Sequence, residues 1–388
     1  MAVNDRERFK AICAGQKPDY VPIFGFRGAP GMSAGCMKYT HDHLVATGMP
    51  GRVGGCWEDW KCADEESWCR YWGTALPIGV GFSLAGGEVG FQETKRIEGE
   101  YEIIESESGA VTRQVIRNDI TYSMPDFVRY PVRDRASWEF YKERMAYRTF
   151  LPREELEVRC RALDRCDRPL VIPVGGTYST VRGLLGTEAA SLAFYDDPEM
   201  VHEMIQWRLA RVREHVFPLI ERLRPEAVQF GEDLCYNHGM LLSPAHFEEF
   251  CAGYYREVCG CAMANGVPAR AIDTDGNAME FTGLAQAVGA NAIFPYEVKA
   301  GNDLFALRER HPKFILFGWL EKECVNEGNE GNIEPEIMSK VPRLLKTGGY
   351  FPNGDHGIQP MATFAGMCRF MTLLHEVCNN PEGEFPRV

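Results

Sequence analysis

No stretch of about 18 apolar residues occurs in the 388-residue chain, so the sequence offers no helix able to span a bilayer. The opening residues, Met1-Ala2-Val3-Asn4-Asp5-Arg6-Glu7, lack the apolar core of a secretory leader, and a cytoplasmic protein is expected. Positive charge is in deficit: 42 basic against 55 acidic residues leave a formal net charge of −13. Such a surface repels phosphate backbones and anionic lipid, so neither nucleic acid nor a membrane is an expected partner. No Cys-x-x-Cys pair is present, although there are 14 cysteines. That argues against a thiolate zinc ribbon or an iron–sulfur cluster and for free thiols. Gly-x-Gly-x-x-Gly and a Walker-type loop are also missing, which removes the usual signatures of nucleotide-binding folds.

What is present is a 45% hydrophobic chain with a regular rhythm. From residue 151 onward, short apolar runs alternate with helical patterns. The runs are 169–174, 227–230, 267–272, 290–294, 313–317 and 348–352. The helical patterns are 198–223, 243–264, 277–288, 303–311, 334–345 and 361–378, two of them opening on Asp196-Asp197-Pro198 and Ser243-Pro244. Residues 20–26 add one strand and residues 76–82 an eighth. Alternation of this kind predicts a parallel sheet with helices outside, here a single (β/α)8 TIM barrel spanning 1–388 with an N-terminal extension. Residues 91–132 read differently, as antiparallel hairpins around Ser108-Gly109, and are expected to be a β-rich insertion on an early loop.

In a barrel, residues just past the strands' C-terminal ends converge on one mouth. Here those positions hold Arg27, Glu232 and Asp233, Asp273 and Asp275, Glu297, Glu321, and Asp355 with His356. A carboxylate after a strand also serves as the N-cap of the next helix, and that alternative stands for Asp273, Glu297 and Asp355 taken singly. Together, crowded carboxylates need a proton, a cation or a basic substrate group to relieve their repulsion. A catalytic metal with an open position is one solution. His238 lies within reach of the same mouth. Trp57 and Trp60, in an aromatic-rich segment, and Tyr236 and Tyr178 are candidates for contact with a flat organic ligand.

Several segments carry a resemblance. Val174-Gly175-Gly176-Thr177-Tyr178-Ser179-Thr180-Val181-Arg182 is followed by Asp196-Asp197-Pro198-Glu199. Phe230-Gly231-Glu232-Asp233 is followed by Leu242-Ser243-Pro244 and Phe247-Glu248-Glu249-Phe250, and Asn353-Gly354-Asp355-His356-Gly357-Ile358 comes late. In this order they resemble the uroporphyrinogen decarboxylase superfamily, most clearly over 169–378. Its true decarboxylases use no metal and grip substrate carboxylates with an arginine-rich N-terminal block. The matching stretch here, Phe26-Arg27-Gly28-Ala29-Pro30, keeps one arginine. Coenzyme M-linked methyltransferases of the superfamily bind zinc through His-x-Cys and a late Cys. Asp273-Thr274-Asp275 and Asp355-His356 stand at those places, so that thiolate site is absent.

The better match is to the substrate-side methyltransferases of anaerobic O-demethylase systems. That resemblance implies methyl transfer from a small methylated donor, a methoxylated aromatic first among them, to the cobalt of a corrinoid (cobalamin) carried on a partner protein. It implies zinc held by Glu321, Glu336 and His356, with Glu232, Asp233 and Asp275 as catalytic groups. Arg27, Trp57, Trp60, Tyr178, Tyr236 and His238 would contact the substrate. A homodimer is compatible with it. The alternative is a metal-free decarboxylase of the uroporphyrinogen type.

Overall fold

The computed structural model describes residues 3–24, 38–58, 61–80, 91–116, 125–146, 153–381 and 383–388. Seven strands pair side by side in chain order: β1 (Ile78–Gly79), β2 (Leu170–Pro173), β3 (Ala227–Gly231), β4 (Ala269–Thr274), β5 (Ala292–Pro295), β6 (Ile315–Leu320) and β7 (Tyr350–Gly354). Every neighbouring pair is parallel. Each strand overlaps one of the apolar runs read from the sequence.

Of the expected eight-stranded barrel, the hydrogen bonds among the described residues show a curled parallel sheet of seven strands. The segment expected as the first strand makes one parallel bridge, Phe24 with Ala75, on the β1 side. On the other side the Asn353 side chain of β7 donates to the Phe24 carbonyl at 2.9 Å. One bridge and one side-chain hydrogen bond do not make a ladder. Residues 25 and 26 of the same expected strand lie outside the described residues.

The concave face has a simple composition. Val171, Ala227, Ala269, Ala271, Ala292, Phe294, Ile315, Phe317 and Phe351 form one buried cluster with Phe24 and with Phe9 and Ile12 of helix α1 (Asp5–Cys13). Alanines on β3, β4 and β5 leave room for the large rings. Phe317 stacks on Phe351 at 4.5 Å, and Phe9 reaches the same ring at 5.0 Å. The α1 helix is fixed at its start by a capping box between Asn4 and Glu7. Its apolar face therefore plugs one end of the curled sheet, and polar residues on the concave face occur only toward the other.

The convex face is covered by helices α2 (Tyr178–Leu185), α3 (Pro198–His215), α4 (Ala252–Ala264), α5 (Phe281–Ala287), α6 (Leu304–Arg310), α7 (Ile333–Thr347) and α8 (Phe364–Cys378). The expected caps are in place, Asp197 on the Met200 N–H and Ser243 on the His246 N–H. The expected 198–223 helix is instead two pieces. It ends at His215 and restarts at Phe217–Leu223, with Pro218 in the first turn, where its missing N–H costs nothing.

Between β1 and β2 in the chain, four strands (Thr94–Glu98, Tyr101–Glu105, Val111–Val115 and Asp126–Arg129) form a separate antiparallel sheet, as the 91–132 pattern predicts. No described helix is long and apolar enough to cross a membrane. The described cysteines are free thiols.

Candidate functional site

Strand periodicity places the centre of the site. Ala269 and Ala271 of β4 lie in the apolar plug, and with a period of two Asp273 is the next residue on that face. Gln229 follows Ala227 on β3 in the same way. Asp273 retains some accessible surface yet is strongly desolvated, as expected for a group facing an internal space. Around it stand Asp233 after β3, Asp275 after β4 and His356 after β7, the groups whose charges act on it.

Each neighbouring carboxylate has a partner. Arg182, from the end of α2, donates to Asp233. Burial pushes the Asp233 carboxyl up, more than the Arg182 charge brings it down. His356 Nε2 lies 3.4 Å from Asp275 Oδ1. For both members burial favours the neutral form, but the pairing outweighs it. His356 is held above the usual imidazole range, and Asp275, helped by Lys322 and Arg182, below the usual carboxylate range. Asp273 has no such partner among the described residues. Burial first, then the Asp275 and Asp233 charges, push it up to about 8, against smaller contributions from His356 and the Gln229 side chain. At neutral pH it is a carboxylic acid.

Glu232 has a different duty. Its carboxylate accepts from the Thr177 N–H, the Thr177 hydroxyl at 2.8 Å, the Tyr178 N–H at 3.2 Å, the Ser179 N–H at 2.8 Å and the Tyr255 hydroxyl at 2.6 Å. Five donors from the start of α2 and from α4 occupy it, and an anion at a helix N-terminus is favoured by the dipole as well. Tyr255 reaches it because a π-helical turn, Phe247–Cys251, precedes α4 and widens the helix by one residue. The adjacent Tyr254 hydroxyl then donates to the Val174 carbonyl at 2.8 Å. The chain from β2 to α2 is thus fastened at both ends, which sets the position of Arg182 on Asp233. Gly176 is part of the fastening. A Cβ there would fall 2.1 Å from Glu232 Cδ. Gly176→Ala is expected to lose about 1–3 kcal/mol by forcing apart groups that cannot yield; a thermal melt within a degree of the parent would contradict that.

The loops after β5, β6 and β7 are stitched by further carboxylates. Asp355 accepts from the Val298 N–H at 2.7 Å and from the Lys322 N–H at 2.9 Å. Glu297 accepts from the Gly276 N–H at 2.9 Å and from Lys322 Nζ at 3.0 Å. These two residues order the rim.

The zinc set implied by the resemblance does not assemble. Glu336 is paired with Lys340 and also accepts the Glu321 N–H at 2.8 Å. Glu321 faces Lys299 at 3.5 Å, and His356 is turned to Asp275. Among the described residues no three His, Cys, Asp or Glu side chains are grouped to hold a metal ion. The reason is local: Lys340, one helical turn after Glu336 on α7, takes the carboxylate that a cation would need. Each of the three donors is thus engaged elsewhere.

The remaining expected contacts divide. Tyr236 and His238 sit exposed on the hairpin after β3, their rings edge to face at 5.7 Å. Tyr178 is buried, stacked on Phe194 at 6.2 Å. Arg27 and Trp60 lie outside the described residues. Trp57 is described only as backbone, paired with Cys62 in a short two-stranded ribbon. Lys322 and Tyr255 were missed from sequence. Lys322, two residues past β6, holds the same strand-end position as Asp233 and His356 and could have been found by that rule, whereas Tyr255 lies on a helix after the π-turn. Asp273 did carry a signal, its place two residues after Ala271 on one strand face.

Compared with known proteins, the chain matches no protein-family profile and no curated protein sequence. Among solved structures it resembles a methyltransferase from Methanosarcina mazei, with a TM-score of 0.57 and 12% identity over 97% of this chain and 98% of that one. At that identity the likeness establishes a shared fold over nearly the whole of both chains.

Proposed function

We propose that this protein transfers a methyl group from a small methylated substrate, a methoxylated aromatic, to the cobalt of a corrinoid bound to a partner protein. In this reading the chain is a member of the uroporphyrinogen decarboxylase superfamily, and the Phe24 segment completes an eight-stranded barrel around the site. The observation that carries it is the polar group at the open end of the concave face: a neutral Asp273 beside the Arg182–Asp233 and Asp275–His356 pairs.

Methyl aryl ethers resist attack because phenolate leaves poorly, and an acid beside the oxygen supplies what the leaving group lacks. The full-length likeness to a methyltransferase agrees with this reading. The rival decarboxylase would need unpaired basic groups for substrate carboxylates, whereas Arg182 and Lys322 are already matched to Asp233 and Glu297. The corrinoid enters as the methyl-accepting substrate, and the exposed Tyr236–His238 hairpin is the rim it would meet.

The test is to mix purified protein, anaerobically, with cob(I)alamin and a panel of methoxybenzoates. Conversion to the methylated corrinoid, with stoichiometric phenol, is expected by absorbance. No methylation with the panel, either with free cobalamin or with a corrinoid protein purified from the same cells, overturns the proposal.

A further inference from the structure

The carboxylates that ring the mouth are not equivalent. Glu232 is held by five donors, Asp355 by two backbone N–H groups, and Glu297 by a backbone N–H and Lys322. Asp233 has Arg182, and Asp275 has His356. Among the described residues Asp273 is left with neither a cation nor a backbone N–H, and the Gln229 amide is its one hydrogen-bonding neighbour. It also occupies the concave face of the sheet, directly above the alanines of the plug, whereas the others sit on the loops around it. A ring of fixed charges with one uncommitted acid at its centre is the arrangement expected of a proton donor, because every other carboxyl is spent on structure or on a partner.

We propose that Asp273 is the proton donor to the leaving oxygen of the methylated substrate, with the Asp275–His356 pair and the Arg182–Asp233 pair holding it in place. The inference rests on the methyl-transfer reading above. In the step, the C–O bond breaks and its electron pair goes to oxygen. The methyl carbon accepts the electron pair of the cob(I)alamin co-substrate. The Asp273 proton moves to the oxygen, giving a neutral phenol and an Asp273 carboxylate, which water reprotonates. The carboxylates Asp233 and Asp275 keep the proton on Asp273 beforehand, and His356 limits that effect.

Two measurements test this. Infrared titration of the protein without substrate should show a protonated-carboxyl band that vanishes with a midpoint near 8 and is missing from Asp273→Asn. If the band is absent at neutral pH, or persists in the variant, the proposal fails whatever the activity. The second is a leaving-group series. Asp273→Asn should lose on the order of 100-fold in kcat on an unactivated methoxybenzene. It should lose far less on a nitro-substituted ether, whose phenolate needs no proton, and its rate should no longer fall above pH 8. Equal losses across the series, with the alkaline fall retained, would make Asp273 a structural residue. If the wild type methylates no acceptor but shows the infrared band, the methyl-transfer reading fails and the protonated acid stands.

Discussion

Replacing Glu232 with alanine should destabilise the protein by roughly 3–5 kcal/mol, the range for removing one side of a buried charged network. The expectation follows from what is left behind. The N–H groups of Thr177, Tyr178 and Ser179 would lose their acceptor at the start of α2, and so would the buried Tyr255 hydroxyl. Each unsatisfied donor costs about 1–3 kcal/mol when water cannot reach it, and the cavity left by the side chain admits some water, which keeps the sum below the simple total. Glu232→Gln should fall between the two, because the amide offers one acceptor and turns a donor toward other donors. Equilibrium urea unfolding reads the difference as a shift in midpoint at constant slope. A loss under 1 kcal/mol for Glu232→Ala would show that the five hydrogen bonds do not hold the β2–α2 connection. The loss should reach the site as well: α2 carries Arg182, so a displaced helix start frees Asp233.

Much of this arrangement was legible in the sequence, and the reasons differ from place to place. The strand positions were readable because both faces of a parallel strand are covered, which makes each one a short continuous apolar run. The mouth was readable because strand ends in such folds face one way, so Glu232, Asp233, Asp275 and His356 could be grouped before any coordinates. Their duties were not. Glu232 looks like Asp233 in sequence, yet one is saturated by backbone and hydroxyl donors and the other pairs with an arginine 51 residues away. A strand-end rule sees position and is blind to which hydrogen bonds a carboxylate has already accepted. The zinc set shows the same blindness. The resemblance makes Glu336 a ligand, but Lys340 lies one turn beyond it and pairs with it, a relation the helical period could have exposed. Closure of the barrel was not legible, because an apolar run tells that a strand exists, not how many residues of it are paired.

Asp273→Asn is expected to stabilise the protein in alkaline solution while it disables the proposed chemistry. The carboxyl loses its proton near pH 3.9 when the chain is unfolded but holds it to about 8 in the fold. The native state therefore binds the extra proton over that interval, and stability falls as pH rises through it. The contribution is fully present below the unfolded value, declines across the interval and is constant above 8. The full span corresponds to a ceiling of about 6 kcal/mol. Asparagine has no proton to lose, so its stability curve should lack this descent. The Asp275–His356 pair makes its own contribution, lost as pH rises past the raised imidazole value and as it falls past the lowered carboxylate value. It remains in both proteins, so the difference between their curves isolates Asp273. At pH 5, about one unit above the unfolded value, the variant should already be the more stable by about 1.5 kcal/mol, and at pH 9 the gap should be clearly larger. Parallel curves from pH 5 to 9 would mean that Asp273 is ionised in the fold, with its neighbours screened by water. A destabilised variant at both values would mean that asparagine disturbs the packing above Ala271, which the isosteric swap is chosen to avoid. The expected divergence has a functional sense: a site that keeps an uncompensated acid at its centre gives up stability there, and removing the acid should return it.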